Sequence, residues 1–105
     1  MRQLTSDKAI ETINREERVL ILLEKSGDPL CKRARQTFRA YSVKLEQLGY
    51  KICIVEADEN SAKHKELACT RIPQSRVFVN KELAKKHIGV PSEQLLADLM
   101  TEKYN

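Results

Sequence analysis

Two short apolar runs separated by one long amphipathic stretch constrain this chain more than any other feature. Val19-Leu20-Ile21-Leu22-Leu23 is continuously apolar and is followed by Ser26-Gly27-Asp28-Pro29, which reads as a strand buried on both faces and ended by turn residues. From Leu30 onward the apolar positions Leu30, Ala34, Phe38, Tyr41, Leu45 and Leu48 recur three or four apart, while Lys32, Arg33, Arg35, Arg39 and Lys44 occupy other faces. That spacing predicts one long helix. Gly49 ends it, because glycine adopts the left-handed C-terminal conformation without a Cβ penalty, and Ile52-Cys53-Ile54-Val55 reads as a second buried strand. A helix between two buried strands is a βαβ unit, with parallel pairing and a right-handed crossover.

The remaining elements follow from caps and breakers. Ser6 or Thr5 caps a first helix that carries Ala9, Ile10 and Ile13 on one side and ends near Glu16 or Glu17. Asn60 or Ser61 opens a short helix through about Ala68, and Thr70-Arg71-Ile72-Pro73 breaks it, since the residue before a proline is pushed out of the helical region. Ser75 to Val79 reads as a third strand. Asn80-Lys81-Glu82 is a tight connection to an antiparallel partner, Leu83 to Ile88, in which Lys85 and Lys86 guard an open edge. Ser92 caps a last helix with Leu95, Leu96, Leu99 and Met100 as its buried stripe. The expected order is αβαβαββα: an α/β fold with a central mixed four-stranded sheet flanked by helices, as a single domain over residues 1–105.

Composition excludes several classes. A chain of 105 residues is sized for one core and one site. No apolar stretch approaches the roughly 18 residues of a membrane span, and Met1-Arg2-Gln3-Leu4 leads into polar sequence without a signal-peptide core. The expected location is the cytoplasm. The formal charge of +4 is modest and the basic residues are interleaved with Glu, which argues against a nucleic-acid partner. Cys31, Cys53 and Cys69 are an odd number at spacings that fit neither a paired framework nor a zinc knuckle, and reduced thiols suit the cytosol. His64 and His87 lie far apart among lysines, so no metal is expected, and no phosphate loop or Ser/His/Asp arrangement appears.

This order, a βαβ half followed by a ββα half with a proline just before the third strand, resembles the thioredoxin superfamily over nearly the whole chain. Val19 to Lys32 looks like the strand that runs into that family's Trp-Cys-Gly-Pro-Cys-Lys, with Cys31-Lys32 at the second cysteine and its lysine. Arg71-Ile72-Pro73 looks like the family's cis-proline signature, which implies a cis Pro73, and Gly89 falls at the glycine beside that proline. The family's usual first strand is missing or reduced to Met1–Leu4.

The resemblance also shows what has been lost. Thioredoxin chemistry needs an accessible thiolate at a helix N-terminus and a second thiol close by to resolve the mixed disulfide. Asp28 stands at the first cysteine, Leu22 at the buried carboxylate that takes the second thiol's proton, and Gly27 at the aromatic residue before the first cysteine. Asp28-Pro29 is the preferred order for an N-cap and first helical residue, so the carboxylate is expected to accept the N–H of Leu30 or Cys31. Two readings of Cys31 stand: a buried structural thiol one turn into the helix, with Asp28 raising its pKa, or a lone reactive thiol favoured by Lys32, Arg33 and Arg35. Cys53 is expected in the core, and Cys69 as well, with some exposure near Ile72-Pro73.

Two functions follow from that. In the first, the domain is a redox-inactive chaperone or adaptor module without cofactor that holds an extended, acidic polypeptide by backbone pairing beside Pro73. Its groove comprises Gly27, Asp28, Pro29, Leu30, Arg71, Ile72, Pro73, Gln74, Gly89 and Val90, with no nucleic-acid or membrane partner. In the alternative, Cys31 is the catalytic group of a monothiol redox protein, disulfide-exchanging or glutathione-linked.

Overall fold

The computed structural model describes residues 1–58 and 62–101. Its core is strand β2 (Arg18–Glu24), whose Val19 to Leu23 are all fully buried, each side chain contributing about 2 kcal/mol by leaving water. Helix α1 (Ser6–Arg15) precedes it, with Thr5 as N-cap: Thr5 Oγ1 accepts the Lys8 N–H at 3.3 Å. Helix α2 (Pro29–Gln47) follows, capped by Asp28 and closed at Gly49, whose φ of +94° suits a residue without Cβ. Strand β3 (Tyr50–Glu56) then returns parallel to β2, in register from Arg18↔Tyr50 to Glu24↔Glu56.

Strand β4 (Gln74–Val79) pairs antiparallel with the other edge of β2, and β5 (Glu82–Ile88) pairs antiparallel with β4. They are joined by Asn80 and Lys81, both at positive φ, the conformation that lets a two-residue hairpin follow the sheet twist. Helix α3 (Glu93–Thr101) is the last element of the described residues, and Ser92 Oγ accepts the Leu95 N–H at 3.1 Å. Leu96 and Leu99 are its fully covered residues, while Leu95 and Met100 are half-buried.

The sheet has five strands where the sequence leads one to expect four. Arg2–Leu4 forms β1, parallel to β3 through Arg2↔Cys53, Gln3↔Ile54 and Leu4↔Val55, so the order is β1-β3-β2-β4-β5. Three residues are too few for an alternating pattern, and pairing alone creates this strand. The other difference lies before Pro73. Asn60 and Ser61, expected to open a short helix, lie outside the described residues; Ala62 is helical, but Lys63 to Leu67 form turns, so no helix runs on to Ala68. The carbonyls of Glu66 and Ala68 accept from the Arg76 guanidinium, at 2.5 and 2.6 Å. His64 Nε2 lies 2.7 Å from Asp7 Oδ1 and ties this segment to α1.

Parity along β2 divides the core. Leu20 and Leu22 pack with Ala34, Phe38 and Leu45 of α2 and with Leu96 and Leu99 of α3. Val19, Ile21 and Leu23 pack with Ala9 and Ile13 of α1, Leu67 and Phe78. Covering both faces is what a buried parallel pair requires. Among the described residues no helix is long and apolar enough to cross a membrane.

Candidate functional site

The expected site residues collect at one end of the sheet. Leu23 of β2 is in register with Gln74 of β4, and Gln74 with Ile88 of β5. The Lys25–Asp28 turn, the Arg71–Pro73 approach and Gly89 therefore all leave the sheet at the carboxyl end of its parallel strands, where open α/β sheets bind ligands.

On the α2 side, Asp28 behaves as a cap. Its Oδ1 accepts the Cys31 N–H at 3.0 Å, and that bond, with further help from the Leu30 N–H, holds the carboxyl below the usual range. The amide that would stabilise a thiolate at this helix start is thus occupied by a carboxylate. Pro29 and Leu30 are exposed, Leu30 by 49 %. Cys31 is fully buried. Burial pushes its thiol pKa up, the Lys25 N–H donated to Sγ at 3.4 Å opposes this, and the Asp28 and Glu24 carboxyls add to the rise. Leu22 is an apolar core residue under α2 and offers no proton acceptor.

On the cis-proline side, the Ile72–Pro73 peptide bond is cis. The Pro73 carbonyl accepts the Gly89 N–H at 2.8 Å, so Gly89 does lie beside the proline. Arg71 is exposed and Ile72 half-exposed. No hydrogen bond among the described residues engages the Ile72 backbone. Gln74 faces inward: its Nε2 donates to the Arg71 carbonyl at 3.3 Å and its Oε1 accepts the Arg76 Nε–H at 2.7 Å. It braces the approach to Pro73, and its side chain is turned away from solvent. Val90 is half-exposed, and its carbonyl is 3.1 Å from His87 Nε2.

The other thiols differ from Cys31. Cys53 is 2 % exposed, and burial pushes its pKa up to about 11. Cys69 is half-buried against the α1-side core; burial raises its pKa while Arg76 and Lys86 pull the other way. Among the described residues no group of three or more His, Cys, Asp and Glu side chains is placed to hold a metal ion.

Two buried charges escaped sequence reasoning. Glu24 is fully buried and neither carboxylate oxygen has a hydrogen-bond partner among the described residues. Arg35 Nε lies 3.7 Å from its Oε1. Burial pushes the Glu24 pKa up, Arg35 opposes, and Glu56, across the β3 register, adds to the rise. Period-two alternation with Leu20 and Leu22 was the available signal for its facing α2. Arg76 is 6 % exposed, bracketed by Gln74, Glu66 and Ala68, and the alternation Gln74, Arg76, Phe78 places it on the α1 face of the sheet.

No protein-family model and no curated sequence matches the chain. Solved structures do. A Plasmodium falciparum thioredoxin superposes with a TM-score of 0.80 at 17 % identity, covering 94 % of this chain and 96 % of that one. A Malassezia sympodialis thioredoxin gives 0.79 at 18 % identity over 94 % and 87 %, and a Fasciola hepatica thioredoxin 0.77 at 17 % over 96 % and 97 %. With agreement at that level along both chains, this protein has a thioredoxin-like fold.

Proposed function

We propose that the protein is a thioredoxin-like peptide-binding module, a chaperone or adaptor, that works without thiol exchange. The observation that carries this reading is the start of α2, where Asp28 takes the Cys31 N–H at 3.0 Å while the Cys31 thiol is fully buried behind it. A carboxylate cannot form a mixed disulfide, and a thiol held neutral and covered attacks one slowly. The Ile72 backbone beside Pro73, unengaged among the described residues, supplies what strand addition needs: a donor and an acceptor facing an extended chain. The half-exposed Ile72 and exposed Leu30 supply apolar contact. Three free cysteines support assignment to the reducing cytoplasm.

A monothiol reading is favoured by one contact, the Lys25 N–H on Cys31 Sγ, which stabilises a thiolate. Disulfide reduction separates the two. The module reading expects no turnover of a standard disulfide substrate above the reductant's background, together with binding of unfolded polypeptide that Ile72→Asp weakens at least tenfold. Turnover abolished by Cys31→Ser overturns it in favour of the monothiol enzyme.

A further inference from the structure

Behind the approach to Pro73, on the α1 face of the sheet, lies a cleft of about 480 Å³. Arg71, Arg76 and Lys86 line it together with Cys69 and Gln74, and no carboxylate lines it among the described residues. The arrangement follows from the fold. Arg76 and Lys86 are directly in register on β4 and β5, and Arg71 enters from the segment before the cis bond. Arg76 is 6 % exposed, and among the described residues its guanidinium bonds only neutral acceptors: Gln74 Oε1 and the carbonyls of Glu66 and Ala68. A buried cation satisfied in hydrogen bonds yet lacking a counter-charge leaves a positive potential in the space beside it. Burial lowers the Arg76 pKa, and the ionisable neighbour that opposes this is the Cys69 thiol.

We propose that this cleft is an acidic subsite of the peptide groove, receiving the Asp or Glu side chain of a chain held at Ile72, with Arg71 and Lys86 at its rim and Arg76 behind. The assignment rests on the groove reading above and gives it a sequence preference. A carboxylate entering here meets three cations with no competing acid among the described residues, whereas the opposite side of the groove presents the Asp28 carboxylate at the helix start. The bound peptide is therefore oriented, with its acidic residue on the β5 side of Pro73.

Cys69 is a built-in reporter of the cleft, since it is the half-buried member of the three thiols. In the first measurement the native chain is alkylated with iodoacetate and with iodoacetamide, which differ in charge and hardly in size, and modification at Cys69 is followed by mass spectrometry. The anion should be favoured about threefold relative to its preference for a free cysteine, and Lys86→Gln or 0.5 M salt should abolish the bias. In the second, binding of an acetylated and amidated Val/Thr nonapeptide with two central glutamates is compared with its glutamine counterpart. The glutamate peptide should bind about fivefold more tightly to the native protein, and equally in Lys86→Gln and Arg71→Gln. Equal binding of both peptides to the native protein overturns the acidic subsite and leaves the groove standing. Failure of both to bind overturns the groove and the subsite together. An alkylation ratio matching free cysteine overturns the cationic cleft irrespective of the peptides.

Discussion

Glu24 and Arg76 are both buried charges on one sheet, on opposite faces, and the fold treats them differently. Each of the three guanidinium nitrogens of Arg76 donates to a neighbour, holding the Glu66 and Ala68 carbonyls and the Gln74 amide oxygen. It organises the segment that leads to Pro73 by fixing two of its carbonyls from β4. Glu24 holds nothing: its oxygens lack hydrogen bonds among the described residues, and Arg35 is 3.7 Å away. The contrast separates a buried charge that builds structure from one that opposes it. Desolvation is paid in both cases, and only the hydrogen bonds made in return distinguish them.

The largest effect should come from Arg76→Met, which keeps the volume and deletes the donors. The Glu66 and Ala68 carbonyls and Gln74 lose a charged donor, and unfolding free energy should drop by about 3 kcal/mol, with faster proteolysis in the Ala62–Ile72 segment. A variant as stable as the native protein would break the comparison by showing that this segment packs without the guanidinium.

Glu24→Gln should move the other way, stabilising the fold by about 1 kcal/mol at neutral pH. The pH dependence sharpens the point. Glu24 has a folded pKa raised above its ordinary value of 4.5, so the folded state binds the extra proton between the two values. Its contribution is therefore most favourable below about 4.5 and declines as pH rises through the raised folded value. Thermal melts across that window should show the native protein losing stability relative to Glu24→Gln as pH increases. Parallel curves would mean that the carboxyl is better solvated than its burial implies.

Asp28, an acid at the surface, provides the third and smallest case. Its folded pKa lies below its ordinary 3.8, so its stabilisation is present above that value and is lost as pH falls through the lowered one. Asp28→Ala should reduce the melting temperature by a few degrees at neutral pH, with the difference shrinking in acid. Asp28→Asn should retain much of the cap and lower the Cys31 pKa, because one like charge is removed while the cap acceptor remains. An unchanged alkylation rate for Cys31 in Asp28→Asn would assign the raised pKa of that thiol to burial alone.

Most elements were legible because their signals are local. The apolar run Val19 to Leu23, the three-to-four spacing from Leu30 to Leu48, the Asp28-Pro29 and Ser92 caps and the Gly49 stop each report on contacts within a turn or a strand. The departures at Asp28 and Leu22, and the cap bond to Cys31 that Asp28-Pro29 implies, were equally readable, since a capping carboxylate and its amide are three residues apart. Those features determined the strand–helix–strand frame and placed a capping carboxylate at the α2 end of the site.

Tertiary structure alone decided the rest. Arg2–Leu4 is a strand because β3 offers it Cys53 to Val55, and three residues carry no periodicity of their own. The turns from Lys63 to Leu67 are tied to β4 because Arg76, distant in the chain, donates to the Glu66 and Ala68 carbonyls. Gln74 turned inward for the same reason, and Glu24 was sealed under α2 by packing that strand parity suggests but does not enforce. In each case the deciding free energy lies in pairing or desolvation between segments far apart in sequence. Local propensity encodes conformation over a few residues, whereas the burial of a charge and the capture of a carbonyl exist only once the sheet has brought those segments together.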